Sequence, residues 1–232
     1  MKRKLNVALL LCALLALSLP TTAQVEKDIK LGVTLGGNYS RLGGERAANF
    51  NKAEYRPGWY AGPKIEVKFK PINMGFDASI EYSQYRINRQ YTAPSADGNV
   101  NKNRSDVYQT IEIPLNYRYT YQFMKILDGF AFTGPQFGVN IGNGRFYDEG
   151  GYYHFNRMRY SWNFGVGVTV IKNIQVAAAY NLGLGKIGEY KGDHSLNYPT
   201  CKTKLRNFRV EVSYLFELKK KKAEGEEEDL GL

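Results

Sequence analysis

Few residues of this 232-residue chain have side chains suited to catalysis, and the only histidines are His154 and His194. Asp193-His194-Ser195 is the one local run that combines a carboxylate, an imidazole and a hydroxyl, the groups that activate a nucleophile. A general base must lie within hydrogen-bond distance of its nucleophile, and neighbours in a loop seldom point the same way. We therefore expect no enzymatic activity, and keep hydrolysis of lipid or peptide at His194 as the alternative.

Cofactor and metal sites have equally little support. The candidate metal ligands considered in the loops are Asp148, Glu149, His154 and Asp193. Their residue types are those of ordinary polar loops. The run from Gly183 to Gly188 has the three-glycine spacing of a dinucleotide-binding turn, but that turn requires a helix after it, and no helical period follows. We predict neither a cofactor nor a metal ion.

The first 23 residues have the pattern of a secretory signal peptide. Lys2, Arg3 and Lys4 precede an apolar run over residues 5–19, and Thr21-Thr22-Ala23 supplies the small residues of a cleavage site. We predict cleavage after Ala23 and export. Cys201 would then be the single cysteine of the mature chain, which excludes an internal disulfide.

The charge pattern argues against nucleic acid as a partner. The net charge of +10 is spread along the chain. The only basic run, Lys219 to Lys222, is followed at once by an acidic run, so we predict that residues 217–232 form a charged periplasmic tail. Positive loops would suit the anionic surface of lipopolysaccharide.

Apolar and polar residues alternate in eight segments, which is the period of a β-strand with two different faces. The segments are 29–39, 59–69, 74–83, 111–121, 130–141, 160–170, 174–184 and 208–216. Each has roughly the 9–11 residues of a membrane-spanning strand. The fifth changes phase at Gly134-Pro135, where we predict a β-bulge.

Long and short connections alternate between these segments. Long polar loops are predicted at 40–57, 88–105, 142–157 and 186–204, and short turns at 70–73, 122–128 and 171–173. Alternation alone also fits a soluble sandwich, but the asymmetry of the loops is typical of outer-membrane barrels. We predict an all-β fold over residues 24–216: an eight-stranded antiparallel up-and-down transmembrane β-barrel with short periplasmic turns and long extracellular loops.

Aromatic residues near the strand ends predict two belts at the membrane interfaces. The belt beside the long loops contains Trp59, Tyr82, Tyr160 and Trp162. The belt beside the short turns contains Phe69, Tyr119, Tyr121, Phe130 and Phe216.

The opposite face of the strands carries charge, which predicts a charge network in the lumen. Its members are Lys30, Lys64, Glu66, Lys68, Asp77, Glu81, Glu112, Arg118, Arg209 and Glu211. Pairing is nearly obligatory in so narrow a space. We expect Lys64 or Lys68 to pair with Asp77 or Glu81, Arg118 to pair with Glu81 or Glu112, and Glu211 to lie near Lys30. A salt-bridged plug is favoured over a gated polar channel, and inward glycines such as Gly165 and Gly167 predict space beside bulky residues opposite.

Several of these segments resemble the PorT-like outer-membrane β-barrel family. The resemblance rests on the runs 32–38, 111–115 and 165–168 and on Gly134-Pro135, and it extends over residues 29–216. It implies residence in the outer membrane and insertion by the barrel-assembly machinery. The family is named after a component needed for protein secretion, so a role in secretion is one implication.

The functional expectation is a non-enzymatic integral protein of the outer membrane, with a structural or surface-interaction role through its extracellular loops. Expected partners are outer-membrane lipids and lipopolysaccharide, the barrel-assembly machinery, and an envelope protein. The alternative is a transport or secretion-assembly component.

Overall fold

The computed structural model describes residues 27–44, 55–95, 98–148, 151–192 and 201–217, so the predicted signal peptide and nearly all of the predicted tail lie outside the described residues. The strands are β1 (Lys27–Gly44), β2 (Arg56–Phe69), β3 (Met74–Ser79), β4 (Glu81–Ser95), β5 (Gly98–Met124), β6 (Leu127–Asn140), β7 (Arg145–Asp148), β8 (Gly151–Phe155), β9 (Met158–Val170), β10 (Ile174–Gly183), β11 (Gly188–Gly192) and β12 (Cys201–Glu217). No helix in these ranges is long and apolar enough to cross a membrane.

The antiparallel sheet closes on itself, because β1 pairs with β2 along one edge and with β12 along the other. The wall has eight strand positions in the order β1, β2, β3 with β4, β5, β6, β9, β10 and β12. The first and last strands meet over a long register, from Lys30 opposite Glu217 to Gly44 opposite Thr203. The prediction of a closed eight-stranded barrel is confirmed.

β3 and β4 form one wall strand that is interrupted only at Ile80. Both keep the same register against β5, with Met74 opposite Tyr119 and Glu81 opposite Glu112. The Ile80 amide donates to the Pro63 carbonyl at 3.1 Å. Because proline has no amide hydrogen, Pro63 returns no bond, and the ladder is incomplete there.

One end of the barrel has tight turns. A 3-10 turn, Lys70–Ile72, joins β2 to β3 and ends at Asn73 in the left-handed conformation. Ile171 and Lys172 both have positive φ, of 51° and 62°, between β9 and β10. Two successive residues of this kind make the hairpin turn whose twist matches that of the strands.

The predicted bulge at Gly134-Pro135 is wrong. β6 keeps one register with β5 on both sides of it, from Thr110 opposite Asn140 to Gln122 opposite Asp128, and it pairs with β9 without a shift. The only shift in the β5–β6 ladder falls at the turn, between Gln122 and Met124. The change of phase arises because phenylalanines of β6 point into the barrel, not because the strand contains an extra residue.

The other end carries more strand than predicted. Most of the predicted loop 88–105 is a β-ribbon, since β4 and β5 remain paired as far as Ser95 opposite Gly98. β7, β8 and β11 fall in two other predicted loops and extend the sheet from β12. The sequence of the ribbon is polar at most positions, and β7, β8 and β11 are only four or five residues long, so these segments lack the long alternation on which the strand prediction depended.

The two faces of the wall are chemically opposite. Outward side chains are apolar and open, as with Leu35, 62% exposed, and Val166, 63% exposed. Inward side chains are mostly polar and buried, including Asn181, Glu112 and Thr110. The buried core of this protein is therefore a polar lumen.

Candidate functional site in the barrel lumen

Because alternate residues of each strand face inward, polar and charged side chains from many parts of the wall share one narrow interior. On β5, for example, Thr110, Glu112, Asn116 and Arg118 all face inward and are buried. Inward residues come from all eight wall positions, so side chains far apart in sequence meet across the lumen.

The first cluster forms around Arg118, near the short-turn end. Its Nη1 atom donates to Glu66 Oε2 at 2.6 Å and to Gln175 Oε1 at 3.2 Å, and its Nη2 atom donates to Thr169 Oγ1 at 3.2 Å. The guanidinium lies 3.5 Å from the centre of the Phe130 ring. The cation is thus held between a carboxylate and an aromatic face, both favourable partners.

The second cluster forms around Arg209, which likewise pairs with a carboxylate and packs on an aromatic ring. Its Nη2 atom donates to Glu81 Oε2 at 2.5 Å, and its Nη1 atom donates to Gln136 Oε1 at 3.0 Å. The guanidinium stacks 3.7 Å from the centre of the Tyr60 ring. A second carboxylate, that of Glu112, is 4.0 Å away.

The third cluster joins Arg159 to Glu112. The two form a buried ion pair, and Glu112 also accepts hydrogen bonds from Tyr85 Oη at 2.7 Å and from Gln136 Nε2 at 2.5 Å. Glu81 and Glu112 are opposite each other on neighbouring strands. Two adjacent buried carboxylates repel one another, so each requires its own arginine.

Lys64 and Glu211 complete the interior ion pairs, with 2.8 Å between Nζ and Oε1. Tyr60 Oη donates to Glu211 at 3.3 Å. Asp77 accepts a hydrogen bond from Asn116 Nδ2 at 2.8 Å. The remaining predicted lumen residues, Lys30 and Lys68, lie at the short-turn rim, 3.5 Å from Glu217 and 4.0 Å from Asp128 respectively.

All ten predicted lumen charges thus lie inside the barrel or at its rim, but the predicted partners are wrong. Arg118 pairs with Glu66 instead of Glu81 or Glu112, and Lys64 pairs with Glu211. The prediction considered mainly neighbouring strands, whereas in this narrow barrel the long side chains pair across the lumen between strands two or three positions apart. Arg159 was missed, although it has the same parity as the inward Ser161 and Asn163.

The belt prediction is wrong for Phe130, which is 5% exposed and faces the lumen. It forms an apolar cluster with Phe132, Ala177 and Ala179. The ring fits because the opposite positions are glycines: a Cβ on Gly167 would lie 2.4 Å from Phe130 Cζ. The pairing of large rings with glycine fills the lumen.

The other eight predicted belt residues lie on the outer face. Trp59 and Tyr82 contact each other with ring centres 5.3 Å apart. The outer-face set beside the long loops is Trp59, Tyr82, Tyr160 and Trp162, and the set beside the short turns is Phe69, Tyr119, Tyr121 and Phe216.

An apolar cap closes the lumen at the long-loop end. It consists of Tyr85, Tyr108, Tyr153, Phe155, Ile187 and Leu205, with Phe146 packed against it. The Tyr108 and Phe155 rings stack with centres 4.6 Å apart. β8 and the residue preceding β11 supply three of these side chains, so the additional outer strands fold over the barrel mouth.

Little open space remains between the clusters among the residues that the structure describes. The cavity beside Asp77, Asn116 and Arg209 has a volume of about 10 Å³, roughly what one water molecule needs. A larger cavity of about 520 Å³ opens at the short-turn end. Its charged lining is Asp28, Lys30, Glu66, Lys68, Lys70, Arg118, Lys125, Asp128, Lys172 and Glu217.

The candidate residues for other chemistry do not form a site in the described part of the chain. Asp193-His194-Ser195 and Glu149 lie outside it. Gly188 begins strand β11, so no helix follows the three-glycine run. Within the described ranges, no group of three or more His, Cys, Asp or Glu is arranged to hold a metal ion.

Comparisons with known proteins agree with this architecture. Residues 22–189 match the family described as "Outer membrane protein beta-barrel domain". No curated protein matches the chain. Among solved structures, it resembles OprG from Pseudomonas aeruginosa, with 10% identity and a TM-score of 0.51 over 83% of this chain and 97% of that one.

Two further structures have lower scores. Neisserial surface protein A matches at 9% identity and a TM-score of 0.42, over 80% of this chain and 97% of that one. Ail of Yersinia pestis, in complex with the heparin analogue sucrose octasulfate, matches at 13% and 0.40, over 82% and 99%. At such identities only the fold is shared. With the family match spanning most of the chain and a closed antiparallel wall, the protein belongs to the outer membrane β-barrel domain family and is an outer-membrane β-barrel protein.

Proposed function

We propose that this protein is a non-conducting, non-enzymatic barrel of the outer membrane that acts through the structure it presents outside the cell. The observation that carries the proposal is the filled lumen. Three arginine–carboxylate clusters occupy the lumen, the cavity between them is about 10 Å³, and the apolar cap covers the long-loop end. A solute would have to break buried ion pairs in order to pass.

Conductance tests this proposal directly. The full chain is folded into planar bilayers, and we expect no steady, discrete conductance. The comparison variant is Glu66→Ala with Arg118→Ala, which removes both members of one ion pair and leaves no orphaned charge. It should raise background leakage, whereas the outward change Tyr119→Ala should not. Steady conductance from the unaltered protein would overturn the proposal.

The outer ribbon supports the second half of the proposal. From Arg86 opposite Val107 to Ser95 opposite Gly98, β4 and β5 pair only with each other. At about 3.4 Å per residue, ten such rungs extend roughly 30 Å beyond the wall. A paired projection of this kind offers a surface to partners outside the cell.

A rescue experiment tests the role of the ribbon. In a strain lacking the gene, the unaltered protein should restore envelope permeability and surface composition. A variant in which residues 88–105 are replaced by Asn-Gly should fold, since that dipeptide forms a tight hairpin turn, and should fail to restore them. Full rescue by the shortened protein would show that the ribbon is dispensable.

A secretion-assembly or transport role, as in PorT-like proteins, is the second candidate. The cavity at the short-turn end favours it, because lysines from three turns, Lys70, Lys125 and Lys172, line an opening of about 520 Å³ toward the periplasm. A periplasmic protein with an acidic surface would fit there. Co-purification of such a partner from the unaltered strain, and its loss with Lys125→Glu and Lys172→Glu, would support this role over the first.

A further inference from the structure

A basic patch lies on the outward face where the first and last strands meet. Arg41 of β1 is directly opposite Arg206 of β12, and Lys204 is the next outward residue along β12. All three side chains are exposed. We call these three residues the seam patch.

The seam patch brings like charges together without a counter-charge among the described residues. Like charges directly opposite each other in an antiparallel pair are destabilising. In the described part of the chain, no carboxylate forms a salt bridge with any of the three. Arg41 contacts the ring of Tyr55, whose centre is 5.7 Å from the guanidinium, and Tyr55 stacks in turn on Tyr39. Because these positive charges have no counter-charge among the described residues, an anion from outside the chain would stabilise them.

The height of the patch identifies the source of that anion. One outward position below it on each strand lie Tyr39, 49% exposed, and Phe208, 46% exposed, which are opposite each other. Below them the outward side chains are apolar, including Leu35 and Val210. An outward step of two residues is about 7 Å. The patch therefore lies just above an aromatic pair at the hydrocarbon boundary, at the level of lipid phosphates.

We propose that Arg41 and Arg206 together bind one phosphate group of a phosphorylated glycolipid in the outer leaflet, with Lys204 as an additional contact. Opposite residues have Cβ atoms about 5 Å apart, so both guanidiniums reach the same phosphate. Guanidinium binds phosphate through paired hydrogen bonds, which a single ammonium cannot form. Below the patch, the apolar outward side chains of β1 and β12 offer a surface against which the acyl chains of the lipid pack.

The bound lipid would bridge the two ends of the chain. β1 and β12 are far apart in sequence, and their pairing is the step that closes the barrel. A phosphate held by one arginine of each strand stabilises that closure from outside. This inference goes beyond the proposed function, because it requires neither a sealed lumen nor a partner for the ribbon.

Lipid binding by the full chain tests the proposal. The protein is folded in phosphatidylcholine vesicles containing either lipid A or dephosphorylated lipid A, and co-purifying lipid is counted by native mass spectrometry. We expect Arg41→Gln with Arg206→Gln to lower affinity for lipid A about 10- to 100-fold, as for the loss of charge-assisted hydrogen bonds. The matched control, Arg86→Gln with Arg157→Gln, removes two exposed guanidiniums that do not face each other across the seam and should bind like the unaltered protein.

Further experiments distinguish a lipid phosphate site from nonspecific attraction by charge and from a site for free phosphate. Arg41→Lys with Arg206→Lys should give intermediate binding, since charge remains and the fork geometry is lost. An excess of inorganic phosphate should not displace lipid A. Equal binding of dephosphorylated lipid A, displacement by free phosphate, or unchanged binding by the double glutamine variant would each overturn the proposal. Heat-modifiable migration establishes folding, and Arg206→Gln alone carries the test if the double variant does not fold.

Discussion

Replacement of Arg209 by methionine would remove a guanidinium from the centre of the lumen. Arg209 lies 2.5 Å from Glu81 and 3.0 Å from Gln136. Glu81 is 2% exposed, and the hydrogen bond that it retains is the one from Ser79 Oγ, at 2.7 Å. The substitution thus leaves a buried carboxylate with a single neutral donor.

The expected cost follows from that environment. Removing one member of a buried ion pair lowers the free energy of unfolding by about 3–5 kcal/mol. Replacing both members by uncharged groups of similar size often changes it little. We therefore expect Arg209→Met to lower the free energy of unfolding by about 3–5 kcal/mol, and added Glu81→Gln to recover most of that loss. The pair of Lys30 with Glu217 is the comparison, because Glu217 is 54% exposed and the pair is 3.5 Å apart. Glu217→Gln should cost no more than about 1 kcal/mol.

Urea unfolding in phosphatidylcholine vesicles measures these differences. Tryptophan fluorescence and heat-modifiable migration follow the transition for the unaltered protein, both single variants and the double variant. Two results would refute the reasoning: a loss below about 1 kcal/mol for Arg209→Met, as expected of an exposed pair, or a double variant no more stable than Arg209→Met. Either would mean that water solvates Glu81 and that the lumen is not sealed by its ion pairs.

Three further predictions follow from the packing of the wall. Phe130→Ala should lower the free energy of unfolding by about 3–5 kcal/mol by opening the lumen core, whereas the outward Phe76→Ala should cost less; equal losses in urea unfolding would contradict the inward placement of Phe130. Gly165→Val should reduce the folded, heat-modifiable fraction, because its Cβ would lie 2.2 Å from the Phe132 ring, while Gly144→Ala has open space and should fold normally. In variants that keep only one of the two tryptophans, lipids brominated near the headgroup should quench its fluorescence more than lipids brominated near the end of the acyl chain. The reverse order would contradict the placement of the tryptophans in an interfacial belt.

Much of the architecture could be predicted from the order of residues alone. In a strand, consecutive side chains point to opposite faces, so the parity of Leu31, Val33 and Leu35 is sufficient to assign them to the outer face. The contrast between turns such as Ile171–Asn173 and the long polar segments predicts the orientation of the barrel, with the short turns in the periplasm. The order of residues did not reveal the outer ribbon, whose sequence is mostly polar, or the cap strands β7, β8 and β11, which are too short at four or five residues to show an apolar period.

The partners inside the lumen depended on the closed structure. Glu81 and Arg209 are 128 residues apart in sequence, and the diameter and stagger of the barrel bring them to 2.5 Å. The inward position of Phe130 likewise depended on the glycines of a neighbouring strand, which leave space for its ring. The sequence alone therefore determined the strands and the face on which most side chains lie, since parity is a local property of the backbone. Only the tertiary structure decided which charges pair and what closes the lumen, because those contacts join strands that are distant in sequence and not adjacent in the wall.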